Sequence, residues 1–272
     1  MAGVNRRWLR WAAGGGLIIA AGLAAALWLR GEEDAAWARI RAEGRMVVAT
    51  DASYPPFSAV DADGNLFGFD VDLAEEIGRR WGVQVVFENI TYDALLTTVI
   101  VGRDDAVFSA FVLQPERTRE VAYTQPYFIG GTVAVIRAVG GDPLEGDPEA
   151  WSAGKTLAVE YGASGDALAR QWARRVAGVT VTPLSTAGEA LAALERGAAD
   201  AALVDVIAAY DYLRGNPALR LAGPPLEPEP YVVAVSVESP ILLRQLDESL
   251  DALEADGTLA ALRAKWLGEA AR

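Results

Sequence analysis

The 272-residue chain contains no cysteine and no histidine. Without histidine there can be no Ser–His–Asp triad, no Cys–His pair and no imidazole-ligated metal. Without cysteine there is no thiolate zinc site, no iron–sulfur cluster, no disulfide and no lipid joined at a thiol. Basic residues are also scarce: 24 Lys and Arg against 37 Asp and Glu, a net charge of −13. The deficit is uneven. Residues 1–30 hold Arg6, Arg7, Arg10 and Arg30 and no acid, a charge of +4, which leaves −17 for residues 31–272. A domain this acidic lacks the basic surface that phosphate contacts require, so nucleic acid is not an expected partner. The acidity reads instead as solubility. Gly154-Lys155-Thr156 looks like the end of a phosphate-binding loop, but the glycine needed five positions earlier is Glu149. Neither a metal nor a cofactor is expected.

What is present is a folded composition, 52% hydrophobic and well mixed with charge. Residues 12–29 form a run of eighteen without charge, preceded by three arginines and followed by Glu32, Glu33 and Asp34. Basic residues favour the cytoplasmic side, so the remainder of the chain is expected outside it, in the periplasm or at the cell surface. The run is long enough to stay as one anchor helix, and Ala24-Ala25-Ala26 offers a cleavage site as the alternative.

The remaining part, about 240 residues, suits one large or two small domains. Strand and helix patterns alternate along it. Met46–Thr50, Val83–Phe87 and Ala106–Phe111 read as strands, Asp70–Trp81 and Tyr92–Val101 as helices. After Gly130-Gly131 a second set follows: strands at Thr132–Arg137, Lys155–Glu160, Val179–Thr182 and Ala201–Val204, helices at Ser164–Val176, Ala187–Arg196 and Asp205–Leu213. Residues Pro224–Pro230 read as a loop, Tyr231–Val237 as a strand, and Pro240–Ala255 and Leu259–Leu267 as helices, with Thr258 expected to cap the last. Such alternation predicts an α/β protein with parallel sheets covered on both faces.

Three blocks carry chemistry: Thr50–Phe57, Gly68–Ile77, and Asp105–Val112 with Pro115-Glu116-Arg117. Each reads as a strand end, a helix start or the loop between them, where α/β proteins place ligand groups. Tyr54 and Phe57 flank a stiff Pro55-Pro56 pair and could pack on a ligand or on the core. Asp70 and Asp72 read as mainly structural, beside a helix start. Arg117 could clamp a carboxylate, or pair with Glu116 or Glu120 at the surface. Ser164, after Tyr161-Gly162-Ala163, could offer a hydroxyl and free amides to an anion, and is equally an N-cap. Asp205 follows an apolar strand and could receive an ammonium or cap a helix. An anion clamp, a second anion donor and an ammonium acceptor together describe a zwitterion site, and no nucleophile–base pair accompanies them.

On these blocks, and above all on Gly68-Phe69-Asp70-Val71-Asp72-Leu73 and the ending Asp256-Gly257-Thr258…Lys265-Trp266-Leu267-Gly268, the sequence resembles the family 3 extracellular solute-binding proteins of amino-acid ABC transporters. The resemblance runs from about Arg45 to Gly268. It implies a two-lobed, type II periplasmic-binding-protein-like clamshell crossed twice by the chain and preceded here by one N-terminal hydrophobic helix. Residues 1–36 would be the signal or anchor with a short linker, 37–129 and 231–272 lobe one, and 132–226 lobe two. It implies that Arg117 and Ser164 with its neighbours hold the α-carboxylate, that Asp205 holds the α-ammonium, and that Asp51, Tyr54 and Phe57 line the side-chain pocket. It further implies that the loop Ser109, Ala110, Phe111 and Val112 borders the ligand, as do Glu160 and Ala163. Val112 lacks the hydroxyl usual at its position, a hydrogen bond worth on the order of 1 kcal/mol, and Ala163 replaces another frequent Ser or Thr. Asp51 and Glu160 suit a polar or cationic side chain.

The expected function is capture of an α-amino acid outside the cytoplasm, by a monomer tethered through its N-terminal helix or secreted, and delivery to an ABC permease. Two alternatives stand beside it. One is a prephenate or arogenate dehydratase-like enzyme, for which Glu160 and Asp51 are the candidate acids. The other is an exported amino-acid sensor subunit.

Overall fold

The computed structural model describes residues 34–268. Expectations for residues 1–33, the apolar run included, lie outside the described residues. Among the described residues no helix is long and apolar enough to cross a membrane.

The helices are α1 (Ala35–Glu43), α2 (Phe69–Trp81), α3 (Leu95–Ile100), α4 (Pro148–Trp151), α5 (Ser164–Arg175), α6 (Ala187–Glu195), α7 (Val206–Leu213), α8 (Pro240–Ala255) and α9 (Thr258–Leu267). The first sheet holds β1 (Arg45–Thr50), β5 (Gln84–Asn89), β6 (Ala106–Val107), β7 (Val121–Tyr123) and β14 (Ala234–Ser236), in the order β5-β1-β6-β14-β7. The second holds β8 (Phe128–Arg137), β9 (Thr156–Glu160), β10 (Thr180–Leu184), β11 (Ala201–Asp205) and β12 (Leu219–Leu221), in the order β10-β9-β11-β8-β12, and β13 (Glu227–Tyr231) also pairs with β8. A small third sheet, β2 (Ser53–Tyr54), β3 (Ser58–Val60) and β4 (Leu66–Phe67), precedes α2.

The alternation predicts parallel sheets, and only part of each is parallel. β1 runs parallel to β5 and β6, and β9 to β10 and β11. β14 is antiparallel to β6 and β7, and β8 to β11, β12 and β13. The reversals lie where the chain passes from one sheet to the other and back.

That passage is a two-stranded ribbon. Phe128–Thr132 of β8 pairs with Glu227–Tyr231 of β13, residue by residue. The proline cluster predicted as a loop is therefore in part a strand. Pro228 and Pro230 have no N–H to give, and β13 manages without them. Its outer edge accepts at Pro230 O from the Leu113 amide at 3.1 Å, and just beyond its end Val232 N donates to Phe111 O at 2.9 Å. The predicted strand 231–237 accordingly splits into the end of β13 and the separate β14. Gly131 sits at φ 101°, and a Cβ there would stand 2.0 Å from Glu227 O. At Gly130 a Cβ would meet the Tyr231 ring at 2.6 Å. Glycine is needed at both positions for the two strands to lie this close.

The core is continuous through the ribbon. Ile40, Met46, Phe57, Phe69 and Leu73 on one side join Val133, Val135, Leu191 and Val204 on the other by way of Tyr127, Phe128 and Tyr231. Phe57 meets Phe69, Phe128 and Tyr231 edge-on, at 5.3–5.6 Å between ring centroids.

The Gly68–Asp72 block is a set of tethers. Gly68, at φ 140°, leaves room for Phe57 O where a Cβ would be 2.0 Å away. Asp70, wholly buried, accepts the Ala110 amide at 2.6 Å and the Tyr127 hydroxyl at 2.7 Å. Asp72 accepts Trp266 Nε1 at 2.6 Å and Lys265 Nζ at 2.5 Å, which ties α9 back onto α2. Neither Asp is a side-chain cap, since Gly68 is the N-cap of α2 and makes no side-chain bond. Thr258 is not the cap of α9 either. Gly257 stands there, Asp256 Oδ1 accepts the Thr258 amide, and Thr258 Oγ1 accepts from Arg80.

Candidate functional site

The third predicted strand ends early, and the site starts from that fact. β6 stops at Val107, and the chain leaves the ladder through Ser109–Val112. Ala110 has φ 43°, alone among the described non-glycine residues in being positive. A Cβ makes this conformation unfavourable, and the Asp70 carboxylate holds the Ala110 amide there from beneath. Burial pushes the Asp70 carboxyl up to about 7, against its bonds to Tyr127 and Ala110.

Above this loop lies a cavity of about 320 Å³, lined by Asp51, Ser53, Tyr54, Tyr92, Ser109, Ala110, Val112, Glu229 and Tyr231. Asp51 stands just past the end of β1. Its two oxygens accept the Ser53 amide at 3.1 Å and the Tyr92 amide at 2.8 Å, and its own amide donates to Ser109 Oγ at 2.9 Å. Tyr54 is 40% exposed and Tyr92 38% exposed, so both rings keep a free face. Each has a buried ring behind it: Tyr54 stacks on Phe57 at 5.8 Å and Tyr92 on Phe111 at 5.2 Å. The Tyr54 and Tyr231 hydroxyls lie 3.4 Å apart. Burial raises both phenols above the ordinary tyrosine value.

A second cavity of about 630 Å³ lies on the other side of Tyr54. It runs between α7, which carries Ile207, Tyr210 and Asp211, and α9, which carries Lys265 and Trp266, and it includes Asp205. Asp205 ends β11 and caps α7, its Oδ1 accepting the Ile207 amide at 2.8 Å. Although its side chain keeps contact with solvent, desolvation raises its carboxyl above the usual range, held back by the amides of Ile207, Ala208 and Val206. Its charge is felt at Tyr54, Glu229 and Tyr231, which places it at the same junction.

The predicted residues thus divide. Asp51, Tyr54, Ser109, Ala110 and Val112 line the smaller cavity, and Asp205 shares the larger with Tyr54. Phe57 and Phe111 correct the expectation that they touch ligand: at 0% and 1% exposure they are core, the floors on which Tyr54 and Tyr92 rest. Arg117 lies in a 3-10 turn, Pro115–Arg117, with its Nε 2.8 Å from Glu120 Oε2, and lines neither cavity. Glu160, Ala163 and Ser164 stand at the end of β9 and the start of α5 and line neither cavity. Ala163, not Ser164, is the N-cap of α5 and makes no side-chain bond; the neighbouring Gly162 amide donates to Asp166 Oδ2 at 3.1 Å.

Glu229, Tyr231, Tyr92 and Ser53 belong to the smaller cavity without having been singled out in the sequence. Tyr92 read as part of a helix. Glu229 and Tyr231 were hidden by the prolines around them. The alternation Glu227-Pro228-Glu229-Pro230-Tyr231 was the available signal, since period two puts both acids and the tyrosine on one strand face.

A family model for bacterial extracellular solute-binding proteins, family 3, matches residues 46–269. Among curated proteins the chain is 28% identical over 232 residues to the L-cystine-binding protein TcyJ of Escherichia coli K12, covering 85% of each. Among solved structures it is similar to the L-cystine solute receptor of Neisseria gonorrhoeae in the unliganded open conformation. The TM-score is 0.73 at 26% identity, covering 86% of this chain and 97% of that one. It is also similar to an ancestral arginine-binding protein bound to arginine, with a TM-score of 0.50 at 30% identity, covering 83% and 99%.

Proposed function

We propose, for a chain that belongs to the bacterial extracellular solute-binding proteins of family 3, that it captures an α-amino acid in the cleft between its two sheets and delivers it to an ABC permease. The observation that carries this reading is the convergence at one junction of the Asp51–Tyr54 loop, the Ser109–Val112 loop and the hinge strand, with Asp205 of the second sheet beside them. Loops from both lobes meeting at the ribbon that joins them are what a ligand-driven hinge closure needs.

In this reading Asp205 receives the α-ammonium. Arg117 exchanges Glu120 for the α-carboxylate, a substitution of one charge-assisted pair for another. The α5 N-terminus around Ala163 and Ser164 closes over the same carboxylate, where helix amides favour an anion. Arg117 on one lobe and Asp205 with Ser164 on the other fit a site that closure would complete. In support, the unliganded open cystine receptor superposes at a TM-score of 0.73, while the arginine-bound protein, higher in identity, reaches only 0.50. The apolar run 12–29 then acts as membrane tether or export signal.

Calorimetric titration with the twenty amino acids and cystine tests the proposal. At least one should bind with one site per chain. Arg117→Ala and Asp205→Ala should each weaken it by about tenfold to a hundredfold, the worth of a hydrogen bond to a charged group. Absence of binding across the panel, or full affinity in both variants, would refute it.

A further inference from the structure

On the premise that the cleft takes an amino acid, we infer that Glu229 selects the ligand's side chain and that it selects a cationic one. Glu229 lies in β13, opposite Gly130, and reaches the smaller cavity from the hinge. Gly130 contributes no side chain across the pair, so the Tyr231 ring fills the space over it and Glu229 emerges beside that ring. The carboxylate is half-buried, and no hydrogen bond or ion pair from the described residues reaches it.

The charges around it all have one sign. Among its lining residues the cavity has two acids, Asp51 and Glu229, and no lysine or arginine. Asp205 and Glu227 add to the negative field at Glu229. Asp51 differs in that both its oxygens already accept backbone amides. Glu229 is therefore the carboxylate left without a donor. The exposed ring faces of Tyr54 and Tyr92 complete a wall that suits an ammonium or guanidinium and has no cationic side chain for an anion. An amino acid brings one ammonium for Asp205. A second positive group, at the end of its side chain, would satisfy Glu229. A neutral side chain would leave that carboxylate unpaired and shut away from water on closure.

The position also links selection to motion. Glu229 sits on the ribbon that joins the two sheets, so on the proposed closure a pairing there would be made most fully in the closed form. Binding energy at the side chain would then favour closure directly.

The test is titration of the intact chain and of Glu229→Gln and Glu229→Asp with arginine, lysine, glutamine and leucine. The wild type should prefer arginine or lysine to glutamine and leucine. Glu229→Gln should lose about tenfold or more for the cationic pair and should bind the neutral pair no more weakly than the wild type does, since it removes the unpaired carboxylate. Glu229→Asp, which keeps the charge, should retain the cationic preference and shows that a loss in the glutamine variant is not misfolding. A wild type that prefers neutral ligands, or a Glu229→Gln variant with unaltered preference, overturns this inference while leaving amino-acid capture intact. Failure of the wild type to bind any amino acid overturns both.

Discussion

Asp70 shows how one side chain can build a binding loop without touching a ligand. It is buried, it holds Ala110 in a conformation that alanine disfavours, and it joins that loop to Tyr127 at the start of the hinge. Asp70→Ala would strand a buried amide and a buried hydroxyl, and should lower the unfolding free energy by about 2–5 kcal/mol in urea denaturation. The group also gives a pH dependence with a definite sign. Its folded value, about 7, lies above the 3.8 of the free side chain, so the folded state holds the proton more tightly. Its effect on stability is most favourable below pH 4, declines as the pH rises towards about 7, and is flat beyond. Between pH 5 and 8 the wild type should therefore lose stability relative to Asp70→Asn; parallel profiles would contradict the assignment. The sequence showed this residue as structural because two acids at a helix start have an ordinary explanation. It did not show what Asp70 holds, since the Ala110 amide lies 40 residues away. Glu229 was hidden for a different reason. Prolines on both sides masked a strand whose prolines need no partner at their nitrogens.

Elements were legible where period and punctuation agreed. Helix α2 starts one residue before its predicted bound, and α8 fills its predicted range. Strand direction was not legible, because an alternating pattern says nothing of where the chain leaves one sheet for another. The ribbon that makes this passage depends on two glycines. Gly131→Ala would combine a positive φ with a backbone collision at Glu227 O, and should cost on the order of 2–4 kcal/mol. Gly64→Ala is the control, with φ 87° and nothing within 4 Å, and should cost only about 1 kcal/mol. Equal denaturation midpoints for the two variants would show that close approach in the hinge is not what Gly131 provides.

At the scale of the whole molecule, the absent histidine and cysteine exclude the catalytic and metal constellations that need those residues, and the acidity makes nucleic acid an unexpected partner. The blocks from Thr50 to Arg117 hold six of the smaller cavity's nine lining residues, and the ribbon supplies two more, Glu229 and Tyr231. Capture as proposed requires a closing motion that brings Arg117, on the side of the first sheet, to Asp205 and Ser164, which share the second. Small-angle X-ray scattering of the chain, alone and saturated with its best-binding amino acid, measures that motion directly. The radius of gyration should fall on saturation as the two lobes close; scattering that is unchanged at full occupancy would contradict capture by closure.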